Sequence, residues 1–111
     1  MKLVVIILSE EERCQSLLRG FVKYGIRGAT ILSSKGMARA LEDSDEYTFL
    51  GSIKAFLDPD QTGKTVITVV RDEQVELVSN IIRKTVGDLN EPDTGIMFTI
   101  PIDYVEGIKP E

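Results

Sequence analysis

The chain contains no histidine and no tryptophan, and its single cysteine is Cys14. Without an imidazole, the Ser–His and Cys–His nucleophile–base pairs cannot be built. One thiol and no histidine weaken the case for a copper centre. A lone cysteine forms no internal disulfide, which fits a reducing compartment. Basic clusters are missing as well: 13 Lys and Arg face 18 Asp and Glu, for a formal net charge of −5. That balance argues against non-specific nucleic-acid binding, which needs grouped cations to neutralise phosphates. No apolar run approaches the roughly 20 residues of a membrane span. The N-terminal run MKLVVIIL stops at Leu8, and Ser-Glu-Glu-Glu-Arg follows with no small-residue cleavage site. It therefore reads as a buried strand, not as a signal peptide. A soluble, cytoplasmic protein is expected.

What is present fits one domain, residues 1–111, with a modest core. Leu3 to Leu8 is continuously apolar and β-branched, the pattern of a strand covered on both faces. Ser9 and Glu12 have capping-box spacing for a following helix. Cys14, Leu17, Leu18, Phe21 and Val22 recur at helical spacing as one apolar stripe, and Gly25 is placed to end the helix. Gly20 inside that helix suggests close packing against a neighbour. Ala29 to Ser34 is the second strand. Acidic Leu41 to Glu46 forms an exposed tip, Tyr47 to Leu57 is strand-like, and Asp58 to Lys64 is a turn rich in Pro, Asp and Gly. Thr65 to Val70 is a strong strand, and Asp72 is placed to cap a second helix. Val75, Val78, Ile81, Ile82 and Thr85 line the inner side of that helix. Gly87 to Gly95 is an irregular loop, and Ile96 to Ile102 is the last strand, with Pro101 marking an edge or the end of its ladder.

The order is β-α-β, an arm, then β-α-β. This predicts an α+β, ferredoxin-like βαββαβ sandwich with an antiparallel sheet, two helices on one face and an extended β2–β3 arm. Two helices cover only one face, yet the strands are apolar at consecutive positions. Soluble monomers avoid a bare apolar face of that size. Other subunits are expected to cover it; the alternative is that the arm folds over it.

The stretch from Tyr24 to Ala40, YGIRGATILSSKGMARA, joins the two halves. Gly25-Ile26-Arg27-Gly28-Ala29-Thr30, then Lys35-Gly36-Met37-Ala38-Arg39, resembles the nitrogen-regulatory PII signalling proteins. Their equivalent reads G-I-x-G-x-T followed by K-G-x-G-R-Q, at the same spacing. The likeness continues through the arm to Phe56-Leu57 and along the second helix to Ile81-Ile82-Arg83. It implies a cytoplasmic homotrimer of ferredoxin-like subunits, with the sheets facing the threefold axis. It further implies adenine-nucleotide binding in inter-subunit clefts, and a projecting T-loop that docks on a transporter, enzyme or regulator. Such a protein is a sensor, not an enzyme.

By the same resemblance, Thr30 lies near the adenine. Lys35, Gly36, Met37, Ala38 and Arg39 form the base of the T-loop, where backbone and Arg39 approach the phosphates. Gly87 and Asp88 match part of the phosphate-binding B-loop. Several positions depart from the pattern. Ala38 replaces a glycine, and Ala40 replaces a glutamine that helps hold magnesium and 2-oxoglutarate. Ser52 stands where some members carry a modifiable tyrosine. The family arginines that clamp phosphates fall near Glu106 and Ile108, and the loop to Gly95 lacks the family's lysine. Charge-assisted pairs with Arg or Lys ordinarily hold a triphosphate. The expected effector is therefore left open between an adenine nucleotide, a less charged one, and bicarbonate.

Other motifs are weaker. Thr62-Gly63-Lys64-Thr65 imitates the end of a P-loop, but Asp58 occupies the place of its first glycine and a strand follows. Asp58, Asp60, Thr62 and Gly63 imitate an EF-hand, but its twelfth position is Val69. Glu42, Asp43, Asp45 and Glu46 read as a solvated tip. Cys14 reads as a buried structural thiol. Arg27 and Lys35 flank the second strand and are candidates to add positive charge to the cleft. Tyr47 and Phe49 suit hairpin packing. The alternative to a PII-like sensor is a CutA-like trimer, structural or metal-handling, with no nucleotide.

Overall fold

A computed structural model of the chain describes residues 1–37, 63–92 and 94–108. Strand β1 spans Lys2–Leu8, helix α1 Glu11–Tyr24, β2 Thr30–Ser34 and β3 Gly63–Val70. A short 3₁₀ turn at Asp72–Gln74 leads into α2, Val75–Thr85, and β4 spans Gly95–Pro101. The expected arm strand (residues 47–57) lies outside the described residues. Gly63 and Lys64, read from sequence as part of a turn, instead open β3.

The sheet order is β2-β3-β1-β4, and every pairing is antiparallel. This is the ferredoxin-like arrangement. Each β-α-β unit leaves a gap between its two strands, and a strand of the other unit fills it. Strand alternation then sorts the side chains. Val4, Ile6 and Leu8 of β1 and Val66 and Val70 of β3 point inward. They meet Cys14, Leu17 and Phe21 of α1 and Val78, Ile81 and Ile82 of α2 in one core.

The helices touch along a small-residue contact. A Cβ on Gly20 would lie 2.7 Å from Thr85 Cγ2 and 2.8 Å from Ile81 Cγ2, so only a glycine permits this approach. Gly25 ends α1 in the left-handed region, φ 88°. There the Ile26 N–H donates to Phe21 C=O (2.8 Å) and the Gly25 N–H to Val22 C=O (3.4 Å), which closes the last turn.

Three local readings change. The N-cap of α1 is Glu10, with no side-chain cap bond, so the expected Ser9–Glu12 box does not define the helix start. Val22 is 80% exposed. It sits one residue, about 100° of helix, past Phe21, which carries it off the seam with the sheet. Asp72 opens the 3₁₀ turn rather than capping α2, whose N-cap is Gln74.

Among the described residues, no helix lies over the other sheet face. Ile96, Phe98 and Ile100 of β4 stand opposite Ile7, Val5 and Leu3 of β1. Those β1 residues in turn face Thr65, Ile67 and Val69 of β3. Thr30 and Leu32 of β2 extend the same face at its other edge. Ile96, Phe98, Ile100 and Leu32 are exposed, and Leu3, Val5 and Ile7 are half-buried. Among the described residues, β1 is therefore covered on one face, not on both.

Candidate functional site

The first cleft follows from where a ladder ends. Thr30 pairs with Ile67, and that is where the β2–β3 ladder starts. β3 runs on to Val70 paired with β1 alone. The segment before Thr30 thus splays away from the C-terminal half of β3. The Thr68 hydroxyl bridges the splay by donating to the Gly28 carbonyl. A cleft of about 480 Å³ opens there, between residues 25–30 and 67–71, with Met1, Leu3, Gln74 and Ile108 completing its wall. Its floor is apolar, and the free β3 edge offers backbone N–H and C=O groups to a partner of matching shape.

Two cationic residues, Arg27 and Arg71, line this cleft. Arg71 is fixed by its own turn. Its N–H donates to Gln74 Oε1 (2.9 Å), and the Gln74 N–H donates to the Arg71 carbonyl (2.9 Å). Arg71 Nε lies 3.2 Å from Glu73 Oε1, an ion pair by distance that lacks hydrogen-bond alignment. Beside it, the Met1 α-amino group sits 3.0 Å from Asp72 Oδ1. The hydrogen bond from that amine holds the Asp72 carboxyl below its ordinary range.

A second cleft of about 440 Å³ lies at the opposite side of the sheet, between α2, the loop after it and the start of β4. Gly87, Asp88, Leu89 and Asn90 form one wall, and Ser79, Ile82 and Arg83 of α2 another. Gly87 adopts φ 120°, which residues with a Cβ rarely do. The loop is held by its own backbone: Gly87 N–H to Ile82 C=O (3.0 Å) and Glu91 N–H to Asp88 C=O (3.0 Å). The Asp88 side chain accepts the Asn90 N–H at 2.9 Å.

Within one chain the residues singled out from sequence are divided. Thr30 lines the first cleft. Gly87 and Asp88 line the second. Lys35 and Gly36 leave the end of β2 without lining either cleft, and Met37 beyond them is exposed. Ala38 and Arg39 lie outside the described residues. The sequence reading did not pick out Ile67, Val69 or Gln74, and it named Ile108 only as standing near the place of the family's clamping arginines. A signal for the first two was present: they alternate on the β3 face that Thr30 shares. Cys14 is buried in the core, and that burial pushes its thiol pKa up, with Glu11 adding to it and Lys64 opposing. Among the described residues, no three His, Cys, Asp or Glu side chains gather as a metal site. No described helix is long and apolar enough to cross a membrane.

The antiparallel sheet, with its helices on one face and a cleft at each margin, defines an α+β, ferredoxin-like class of domain. The particular family is known: the chain belongs to the nitrogen regulatory protein P-II family, whose sequence model matches residues 1–111. Proteins of that family are signalling proteins. Among solved structures, the chain is similar to Arabidopsis thaliana PII bound to citrate, with a TM-score of 0.60 and 23% identity. That likeness covers 91% of this chain and 74% of the Arabidopsis chain, and it shows the shared fold. No curated protein matches the sequence significantly.

Proposed function

We propose that residues 1–111 act as one PII-like signalling domain, assembled as a homotrimer. A small effector binds in clefts between subunits, and the arm at residues 37–64 regulates a partner protein. The observation that carries this reading is the placement of the two clefts. The first lies on the β2 side of the sheet and the second on the β4 side, with the apolar outer face between them. A rotation that stacks outer faces around an axis sets the β2 side of one copy against the β4 side of the next. Such head-to-tail contacts close into rings. Thr30 of one copy then meets Gly87 and Asp88 of its neighbour, reuniting residues that one chain holds apart.

The effector class follows from the first cleft. A flat heterocycle fits the splay, with apolar Ile67 and Val69 beneath it and backbone polar groups at its edge. An adenine nucleotide satisfies this. The acidic and apolar residues at 106 and 108 favour AMP or ADP over ATP, because fewer phosphate charges need partners. For the arm to signal, the effector must bind one arm conformation better than the other by a few kcal/mol.

The test is a thermal-shift panel of ATP, ADP, AMP, cyclic AMP, 2-oxoglutarate, citrate and bicarbonate, with and without magnesium, alongside sedimentation of the free protein. A concentration-dependent rise in melting temperature with an adenine nucleotide is the expected result. A trimer with no shift across the panel would favour the CutA-like reading. If a nucleotide binds, unchanged affinity in Arg39→Ala would remove Arg39 from the site.

A further inference from the structure

We propose that Arg71 selects the effector by an acid group, and that Glu73 competes with that group for Arg71. The proposal rests on the first cleft being the effector site. The residues that line this cleft include Arg27 and Arg71 and no aspartate or glutamate, in a chain whose net charge is −5. The lining of the second cleft is balanced, with one cation, Arg83, and one carboxylate, Asp88. Arg83 is also engaged, since its Nη1 donates to Asn80 Oδ1 at 3.2 Å. An anion held between the two clefts therefore finds its net positive wall in the first.

Within the first cleft, Arg71 stands at one end. The β2–β3 ladder stops at Thr30 and Ile67. Arg71 follows the last residue of β3, roughly 13 Å beyond Ile67 at the rise of an extended strand. A flat ring against Ile67 and Val69 thus leaves room past it for an acid group at Arg71. The backbone of Arg71 is fixed by its turn with Gln74, so only the side chain needs to move. That side chain is poorly satisfied. Its Nε is shut off from solvent with no aligned hydrogen bond, and among the described residues its ionic partner is Glu73, 3.2 Å away. The Glu73 side chain is 71% exposed, so water screens the pair and holds it weakly. A carboxylate or phosphate in the cleft takes two parallel N–H bonds from the guanidinium and displaces Glu73. Glu73 thereby sets a threshold that a neutral ligand has no means to overcome.

The test compares adenosine with AMP, which differ by the acid group. The unaltered chain is expected to bind AMP about tenfold more tightly than adenosine, the worth of a charge-assisted pair. Arg71→Gln should bind both alike, with adenosine affinity unchanged. Glu73→Gln, at an exposed position, should bind AMP about threefold more tightly and adenosine as before. Equal affinities in the unaltered chain, or an AMP preference that survives Arg71→Gln, would overturn the proposal while leaving the adenine reading intact. Parallel losses of both ligands in Arg71→Gln would overturn it too, by making Arg71 part of the cleft's shape. If neither ligand binds the unaltered chain, the adenine reading fails and inorganic pyrophosphate decides Arg71. A rise in melting temperature that Arg71→Gln abolishes would uphold the anion site, and no rise would overturn it.

Discussion

Gly20 of α1 and Thr85 of α2 meet so closely that a single added methyl would lie 2.7 Å from Thr85 Cγ2. A glycine in mid-helix costs roughly 1 kcal/mol relative to alanine, and here the cost secures the contact between the two helices. Gly20→Ala should therefore destabilise the fold despite its better helix propensity. Overpacking costs about 1–3 kcal/mol, because Thr85 and Ile81 are both β-branched and stiff at χ1. The net loss should be about 1 kcal/mol, read from urea midpoints at constant m-value.

Thr68 closes the floor of the first cleft through its bond to the Gly28 carbonyl. Thr68→Val keeps the side-chain shape and removes the donor. A loss of about 1 kcal/mol in stability is expected. If the splay positions the effector, AMP affinity should fall as well. Weakened stability with unaltered affinity would confine Thr68 to a structural role.

The outer face makes a direct prediction for assembly. Phe98 sits midway along the edge strand β4, opposite Val5, and is exposed in the single chain. Phe98→Glu should leave the helical circular-dichroism signal intact while shifting sedimentation from trimer to monomer, since an unpaired buried carboxylate costs several kcal/mol. Trimer persisting in this variant would place the interface elsewhere.

Cys14 should be chemically quiet. Burial raises its pKa, so the folded state holds the neutral thiol. A group whose proton is bound more tightly in the folded state contributes no pH dependence below its unfolded pKa. Stability is lost as pH climbs above that value, about 8.5 for a free thiol. Urea midpoints should drop between pH 8 and pH 10 by more in the unaltered chain than in Cys14→Ala. A thiol reagent should modify Cys14 at least roughly 100-fold faster in denaturant than in the folded protein.

The parts of the fold written in local pattern were legible in the sequence. The apolar run of β1, the stripe Cys14–Leu17–Phe21, the Gly25 stop and the close-packing glycine all have one dominant cause, and the structure carries each of them. Elements set by competition were not. Asp72 has the chemistry of a helix cap, but the 3₁₀ turn and the nearby α-amino group recruit it first. Ser9 and Glu12 have capping-box spacing, yet α1 starts from Glu10. Thr30, Gly87 and Asp88 line clefts, but the residues that shape the first cleft come from three parts of the chain. Ile67 could have been read from the alternation of β3, whereas Gln74 and Ile108 are brought there by a 3₁₀ turn and a left-handed glycine, and neither of these leaves a spacing signature. Readings for the arm concern residues 38–62, outside those described.

The uncovered sheet face has a consequence for dosage. On the proposed assembly, a cleft is complete only when two chains meet, so the number of working sensors follows the concentration of chains through mass action. Halving the amount of protein near the dissociation constant would remove more than half of the complete sites. Scarcity would then silence the response before any effector is lost. An expression level high enough to saturate assembly becomes part of what the molecule needs to report on its ligand alone.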